Sequence, residues 1–105
     1  MTVEPVFDEV IHPANRLQIC AILAAADAVE FRIVRDAMSV SDSVLSKQIK
    51  VLDEAGYVTI SKLPKGSRVR TWLELTVSGR AALDGHLAKL RRITEIAEGL
   101  RPQQY

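Results

Sequence analysis

Residues 41–58 have the sequence SDSVLSKQIKVLDEAGYV, which contains the signals for one complete helix. Ser41 is a candidate N-cap, because its hydroxyl can accept a hydrogen bond from an amide two or three residues further on. Asp42 follows at the positive end of the helix dipole, and Gly56 stands where a helix closes with a left-handed residue. Three apolar residues at i, i+4 and i+7 predict a buried face, namely Leu45, Ile49 and Leu52.

The opposite face of this predicted helix carries short polar side chains and basic side chains. Its outward positions are Ser43, Ser46, Lys47 and Lys50. An α-helix fits the major groove of B-DNA, where short polar and basic side chains can reach base edges and phosphates. The alternative interpretation is that Lys47 and Lys50 are ordinary solvated charges, so residues outside this helix must decide between the two.

A β-hairpin is predicted directly after the helix. Residues 57–63 and 69–75 have the β-branched content and alternation of strands. The turn between them consists of Pro64, Lys65, Gly66 and Ser67. One face of the second strand consists of Val69, Thr71, Leu73 and Leu75. Arg68 and Arg70 therefore share the other face, where a purely structural role is the alternative to a ligand contact. With Lys65 they give the hairpin a basic tip.

Two helices are predicted before this region. Pro13 suits the first position of the first helix, because its missing amide is not needed there. Four apolar residues follow at helical spacing, namely Leu17, Cys20, Ile22 and Leu23. The second helix is short, and one of its faces is marked by Phe31, Val34 and Met38. It ends in a turn near Ser39. Residues 29–31, between the two helices, fit either one short strand or an extended connection.

A long final helix is predicted after the hairpin. Thr76 is its N-cap, and apolar residues recur every three or four positions over about five turns. These residues are Leu83, Leu87, Leu90, Ile93, Ala97 and Leu100. A three-helix core and a hairpin cannot cover so many apolar positions, so we expect a homodimer. The residues expected at its interface are Leu87, Leu90, Ile93 and Ala97.

Three helices, a basic hairpin and a long last helix, in this order, predict a winged helix-turn-helix fold. The predicted class is α+β and mainly helical, with a three-helix core, a β-hairpin wing and a long C-terminal helix. A chain of 105 residues has room for one domain, because two would each bury too little surface. We expect that domain to span residues 1–105, with its core at about 12–75 and its dimerisation helix at about 77–100.

Positive charge is concentrated in one segment of the chain. The formal net charge is only +1, yet residues 1–30 carry one arginine against five acids. Residues 47–70, by contrast, carry six lysines and arginines against two acids. This basic segment contains the end of the third helix and the hairpin, so the charge distribution favours a nucleic-acid contact at those two elements.

The composition argues against several other classes of protein. Hydrophobic residues make up 48% and charged residues 26% of the chain, which is typical of a globular protein. No apolar run is long enough for a membrane span, and residues 1–10 lack the pattern of a signal peptide, so we expect a cytoplasmic protein. Cys20, His12 and His86 provide neither a disulfide framework nor a metal site. We predict no cofactor, no catalytic constellation and no enzymatic activity, and we expect Cys20 to be an inert buried thiol.

Two stretches of the chain resemble the MarR-like winged-helix transcriptional regulators, especially their short single-domain members. The first is SVLSKQI at residues 43–49 continuing through LDEAGYV at residues 52–58, and the second is LTVSGRAAL at residues 75–83. The resemblance extends from about residue 12 to residue 90. It implies that five residues approach the major groove, namely Ser43, Val44, Ser46, Lys47 and Lys50. It also implies that the wing contacts are made by Lys65, Arg68 and Arg70.

The function predicted from these features is sequence-specific binding of double-stranded DNA by a homodimer that regulates transcription as a repressor. The alternative is a winged-helix module that contacts an acidic protein partner and binds no DNA. Fold alone does not separate the two. Larger members of the family surround a ligand pocket with additional terminal helices, for which this chain has little sequence, so the existence of a small-molecule effector stays open.

Overall fold

A computed structural model of the chain describes residues 3–102. Its elements, in chain order, are α1 (Ala14–Ala24), β1 (Val29–Glu30), α2 (Phe31–Met38), α3 (Asp42–Glu54), β2 (Val58–Lys65), β3 (Arg68–Leu75) and α4 (Val77–Gly99). The predicted fold class and the predicted order of elements are confirmed: three helices precede a hairpin, and a long helix follows it. None of the helices within the described residues combines the length and the hydropathy needed to cross a bilayer.

The three strands form one antiparallel sheet in the order β1-β3-β2. Residues 29–30 are a strand, which resolves the alternative left open by the sequence, since Val29 pairs with Leu73 and Glu30 with Trp72. β2 pairs with β3 along its whole length, from Val58 to Lys65. The hairpin formed by β2 and β3, which we call the wing, therefore extends well beyond the part of β3 that β1 covers.

The turn of the wing is shorter than predicted. Pro64 and Lys65 belong to β2, and Lys65 pairs with Arg68, which leaves Gly66 and Ser67 as a two-residue turn. Gly66 has φ of +64° whereas Ser67 has negative φ, the combination of a type II′ turn. Pro64 is tolerated because β2 is an outer strand. Its place next to the pair that flanks the turn directs its nitrogen away from β3, so no ladder hydrogen bond is lost.

The helix starts agree with the predicted caps, with one correction. Ser41 Oγ accepts a hydrogen bond from the Val44 amide at 3.2 Å, and Thr76 Oγ1 accepts one from the Gly79 amide at 2.9 Å. Pro13, however, is not the first helical residue. Its ψ of 137° is extended, and it precedes α1 as the N-cap. The proline ring fixes φ at a value that suits a helix but leaves ψ free, so Pro13 can adopt an extended ψ just before the helix begins.

The hydrophobic core is built from α1, from the apolar face predicted for α3 and from the inner face of the sheet. Of the α1 face predicted from the sequence, Cys20 and Leu23 are buried and Leu17 and Ile22 only partly so, while Ile19, which was not predicted, is buried. The buried members of the core are Ile11, Ile19, Cys20, Leu23, Val34, Leu45, Ile49, Leu52, Val58, Leu73, Leu75 and Leu83. α3 thus packs through its apolar face as predicted. It ends before Gly56, whose φ is +79°, and α2 ends at Ser39, whose φ is 54°. These left-handed residues turn the chain sharply after each helix.

The start of α4 approaches the end of α3 very closely. The Thr76 amide donates a hydrogen bond to the Tyr57 carbonyl at 2.9 Å. A Cβ atom at Gly79 would lie 2.2 Å from that same carbonyl oxygen, which is far inside van der Waals contact. Only glycine fits there, and its absence of a side chain fixes the position of α4 on the core.

A further segment, which the sequence did not predict, lies on the surface of α4. Residues 3–12, which we call the strap, contain no helix or strand and include one turn at residues 9–11. The Val6 amide donates a hydrogen bond to the Gly85 carbonyl of α4 at 3.0 Å, and Ile11 is fully buried in the core. The strap is therefore packed against the domain at both of these points.

Candidate nucleic-acid interface

The outer face of α3 is exposed where the sequence predicted it to be. All five residues expected to approach a major groove are exposed, namely Ser43, Val44, Ser46, Lys47 and Lys50. The side chains of Leu45, Ile49 and Leu52 are buried on the other side of the helix. α3 consequently presents short polar groups and two ammonium groups on a helix whose inner side is packed in the core.

Two arginines outside α3 hold it in place. Arg35 of α2 forms an ion pair with Asp42 at 2.9 Å, and this hydrogen bond raises the pKa of Arg35 above its usual range. Arg16 of α1 donates a hydrogen bond from Nη1 to Gln48 Oε1 at 2.8 Å. The start and the middle of α3 are thus fixed to the two preceding helices by polar contacts in addition to apolar packing.

The wing carries the second group of predicted residues. Lys65 and Arg68 flank the turn as a cross-strand pair, so their side chains project from the same face of the hairpin. Every residue from 59 to 69 is exposed. Within the part of the chain that the structure describes, neither Lys65 nor Arg68 forms an ion pair. Both cations are therefore available to an external anion.

Arg70 is placed differently from the other predicted wing residues. Its Nη1 forms an ion pair with Glu30 Oε1 at 2.8 Å, and Arg32 bonds the other oxygen of the same carboxylate. The hydrogen bond from Arg70 is the main reason that the pKa of Glu30 lies below its usual range. The Glu30 side chain is only 9% exposed, and Arg70 pairs with Leu63 in the outer half of the wing, so this ion pair ties that half of the wing to β1. Arg70 holds the wing rather than extending from it.

Lys62 is a basic residue that the sequence analysis counted in the positive segment but did not assign to the site. It pairs with Thr71 across the wing and lies on the strand face opposite to that of Arg68 and Arg70. Lys62, Lys50 and Ser46 line a cleft of about 380 Å³ between α3 and the sheet. Asp42 and Asp53 line it too, and Asp42 is paired with Arg35. The alternation of the strand was the signal that could have placed Lys62 here.

Comparison with known proteins identifies this arrangement. Residues 15–94 match the family described as winged helix DNA-binding domain. The chain belongs to this family. A protein of Methanocaldococcus jannaschii, described as uncharacterized, is 26% identical over 90 residues, which cover 86% of this chain and 98% of that protein.

Solved structures share the fold of this winged helix domain at low identity. The transcriptional regulator homologue of Pyrococcus horikoshii OT3 has a TM-score of 0.79 at 23% identity, over 84% of this chain and 87% of its own. A MarR-family transcriptional regulator of Silicibacter pomeroyi has a TM-score of 0.62 at 24% identity, over 90% of this chain and 63% of its own. The MarR-like resemblance predicted from the sequence is thus confirmed for the fold.

From Leu87 onward, α4 of this winged helix domain exposes a series of apolar side chains. Of the residues expected at a dimer interface, Leu87 is 39% and Ile93 46% exposed, Leu90 is half-buried and Ala97 is exposed. Ile96 and Leu100, which the sequence analysis did not assign to the interface, are 59% and 80% exposed. No other part of the described chain packs on this surface closely enough to bury it.

The remaining reactive groups do not form a metal or redox site in the described residues. No group of three or more His, Cys, Asp or Glu side chains between residues 3 and 102 lies close enough together to hold a metal ion. Cys20 is buried in the core of the winged helix domain, and burial raises the pKa of its thiol to about 11. The thiol is therefore protonated at neutral pH, the poorly nucleophilic form.

Proposed function

We propose that this winged helix protein binds double-stranded DNA in a sequence-specific manner as a homodimer and represses transcription by occluding promoters. The observation that carries the proposal is a set of exposed cations on two adjacent elements, none of them in an ion pair among the described residues. They are Lys47 and Lys50 of α3 with Lys62, Lys65 and Arg68 of the wing. Cations arranged in this way can neutralise successive phosphates of a duplex.

In this proposal α3 reads the bases. The hydroxyls of Ser43 and Ser46 and the ammonium of Lys47 reach base edges in the major groove, and Val44 provides an apolar contact for a thymine methyl group. The short side chains allow the helix to approach the groove floor closely. The packing of Leu45 and Ile49 in the core keeps the reading face in one position, which base recognition requires.

The wing in this proposal contacts the sugar-phosphate backbone. Lys65 and Arg68 reach phosphates that flank the helix contact or enter the minor groove beside it. Lys62 and Lys50 lie on the two sides of the cleft between wing and helix, where a backbone segment passes when both elements contact one duplex. Arg70 contributes by tying the outer half of the wing to Glu30 of β1.

The dimer places two copies of α3 on one duplex. We assign the interface to Leu87, Leu90, Ile93 and Ala97, and we extend it to Ile96 and Leu100 because these side chains are more exposed still. A two-fold symmetric protein then requires a palindromic operator whose half-sites are about 34 Å apart. The proposal assigns no catalytic step and no cofactor to any residue, and a cytoplasmic location follows from contact with the chromosome.

The experiment that tests DNA recognition is selection of bound fragments from a random duplex pool, followed by titration at several salt concentrations. We expect a palindromic consensus and an affinity that falls steeply with salt. Lys47→Ala with Lys50→Ala should abolish enrichment, whereas Arg92→Ala with Arg101→Ala, which removes the same charge from exposed positions at the end of the chain, should retain it. Absence of binding to any duplex at low salt would favour the protein-interaction module instead.

The dimer has its own test, in sedimentation at micromolar concentration without DNA. Ile93→Glu should give a monomer with an unchanged far-ultraviolet spectrum, because a carboxylate cannot be buried unpaired in an apolar interface. Gly99→Glu introduces the same charge on the side of α4 opposite Leu90, at an exposed position where an added Cβ has no neighbour within 4 Å, and should remain dimeric. A wild-type protein that sediments only as a monomer would contradict the proposed interface.

A further inference from the structure

The strap is attached to α4 by backbone contacts that leave little free space. The Val6 amide donates to the Gly85 carbonyl at 3.0 Å, and the Asp8 amide donates to His86 Nδ1 at 2.9 Å. A Cβ atom at Gly85 would lie 3.3 Å from the Glu4 carbonyl oxygen, so the glycine permits the close approach. The strap therefore rests on consecutive residues of α4, one contact of which is the ring of a buried histidine.

The contact from Asp8 fixes the protonation state of a histidine pair. His12 Nδ1 and His86 Nε2 are 3.1 Å apart. A backbone amide can only donate, so His86 Nδ1 must accept, and the proton of this neutral ring is on Nε2. That Nε2–H then donates to His12 Nδ1, which must also be unprotonated. The strap is thus held by two rings that are both neutral, and Phe7 packs on them at centroid distances of 4.7 and 4.8 Å.

Proton uptake by either ring breaks this network. A proton on His86 Nδ1 would face the Asp8 amide, and a proton on His12 Nδ1 would face the Nε2–H of His86, so a donor would oppose a donor in both cases. His86 is fully buried, and its charged form would gain no hydration. Burial, followed by the repulsion that a second positive charge on His12 would exert, holds the pKa of His86 below its ordinary value of 6.5, while the Asp8 carboxylate acts in the opposite direction.

The other ionisable groups around the pair are also engaged. Asp8 accepts hydrogen bonds from the Tyr57 hydroxyl at 2.6 Å and from the amides of Val10 and Ile11 at 2.9 and 3.0 Å. Its carboxylate raises the pKa values of Tyr57 and Cys20, while Arg16 of α1 lowers that of Cys20. Three donors thus fix the orientation of the Asp8 carboxylate within the strap.

The strap is also connected to the reading helix. The Val10 carbonyl accepts a hydrogen bond from Arg16 Nε, and Arg16 Nη1 donates to Gln48 Oε1 of α3 at 2.8 Å. One guanidinium therefore joins the strap to the middle of α3. Detachment of the strap removes the backbone partner that orients Arg16, and with it one of the polar contacts that fix the angle of α3.

We propose that the strap is a proton-sensitive latch on α3: uptake of a proton by the His12–His86 pair detaches residues 3–12 from α4 and loosens the hold of Arg16 on Gln48. The effect of this latch on DNA recognition rests on the proposed function. The direction follows from linkage, because the open state binds a proton more readily than the latched state. The latch is stable above about pH 7.5 and opens as the pH falls below about 6.5. In that range the ratio of latched to open molecules falls by up to about tenfold per pH unit for each proton taken up.

The first test uses the free protein and needs no DNA. Amide hydrogen exchange, corrected for intrinsic rates, should show that the protection factors of the Val6 and Asp8 amides fall about tenfold between pH 7.5 and 5.5. The amide of Ile49, which is in the core helix, should keep its protection. Nitrogen chemical shifts should place the His86 proton on Nε2 at pH 7.5. Protection of the strap that is equal at both pH values, or a His86 proton on Nδ1, would overturn the latch.

A variant separates the histidines from other acid-sensitive groups. His12→Asn with His86→Asn keeps an acceptor oxygen near each Nδ1 position but cannot bind a proton in this range. If the variant is folded with a protected strap, its protection should be the same at pH 7.5 and 5.5. If its strap is open at pH 7.5, the strap should stay open without further change at pH 5.5. An acid-induced loss as large as in the wild type would assign the effect to other groups and overturn the proposal.

The second test measures the connection to α3 with the selected duplex. Wild-type affinity should fall at least about fivefold from pH 7.5 to 5.5, which is opposite to the effect of simply adding positive charge to a DNA-binding protein. Gln48→Ala changes no charge and removes the link, so its affinity should be flat over this range while its strap amides still lose protection. A Gln48→Ala profile identical to that of the wild type would overturn the coupling. Failure to bind any duplex would reject the proposed function and leave the exchange result to decide the latch.

Discussion

The reading helix and the wing carry the same kind of charge on very different supports. α3 exposes Lys47 and Lys50 on one side, and on its other side Leu45 and Leu52 are fully buried. The wing exposes cations as well, but its apolar side chains are exposed with them, since Leu63 is 55% and Val69 66% accessible. Residues 59–69 of the wing are thus not part of the core, whereas Leu73 and Leu75 at its base are.

This difference indicates a division of labour. A helix with one side in the core is held in a fixed position and can present hydrogen-bonding groups to particular bases. A hairpin that projects from the core is tied to β1 by the Arg70–Glu30 ion pair, and the turn beyond this pair is fully exposed, which suits contact with a uniform phosphate backbone. Substitutions in the two elements should therefore change different measurable quantities.

The largest expected effect is on stability and concerns the inner face of α3. Leu45→Ala should lower the free energy of unfolding by about 2 to 5 kcal/mol, because it opens a cavity in the core. Leu63→Ala makes the same change on the wing and should alter the free energy of unfolding by no more than about 0.5 kcal/mol, because the Leu63 side chain is exposed. Urea unfolding monitored by far-ultraviolet circular dichroism measures both. Comparable losses would show that the wing is part of the folding unit in the same sense as α3.

The next effect is on sequence preference and concerns the outer face of α3. Ser43→Ala and Lys47→Ala should each reduce the preference for the selected site over random duplex by about 1 to 3 kcal/mol, because a base contact is lost. Titrations against both duplexes measure the difference. If these α3 variants keep the preference for the selected site and wing substitutions erase it, then the wing reads the bases and the roles of α3 and the wing are reversed.

A smaller effect is expected at the turn of the wing. Gly66→Val should raise the conformational free energy of the turn by about 1 to 2 kcal/mol, because a β-branched residue is strained at a φ of +64°. The strain is in the backbone alone, since no atom lies within 4 Å of the added Cβ. DNA affinity should fall while the far-ultraviolet spectrum is retained. Ser67→Val, in the same turn at negative φ, serves as the control and should have the milder effect. Global unfolding of the Gly66 variant would contradict the independence of the wing from the core.

The smallest effect per substitution is expected for the phosphate contacts. Lys65→Ala and Arg68→Ala should weaken binding to selected and random duplexes by similar factors, because phosphates carry no sequence information. Each should also make the slope of log K against log salt concentration shallower by about 0.9. Arg70→Ala should differ from both, since it leaves Glu30 without its principal partner and lowers stability. Equal behaviour of all three arginine and lysine variants would argue against the distinct position of Arg70.

Local signals in the sequence were sufficient for most of the fold. Ser41 and Thr76 marked the starts of α3 and α4, the spacing of Leu45, Ile49 and Leu52 marked the buried face, and Gly66 marked the turn. Each of these signals acts through neighbours a few residues away, so one sequence contains all the information needed. The exposed faces of α3 and of the wing tip followed from the same periodicities.

The features that the sequence did not predict depend on partners that are distant along the chain. Arg70 has the composition and position of a wing contact, and only the folded structure brings it to Glu30, 40 residues away. No local signal pairs His12 with His86, which lie 74 positions apart in the chain and form one hydrogen-bonded pair in the fold. The strap has no helix or strand periodicity, and its Val6 and Asp8 amides bond to α4. Such contacts are tertiary, and no local pattern encodes them.

Pro64 has a consequence for the behaviour of the protein at high concentration. It lies in the outer strand of the sheet with its nitrogen on the free edge, where it offers no amide donor, and Lys62 and Lys65 stand on either side of it. An unpaired strand edge is a template on which chains can add to one another and aggregate, and proline and lysine are the residues that block this addition. The edge of β2 can therefore be exposed, with apolar side chains near the tip of the wing, without this strand recruiting other copies of the chain through its backbone.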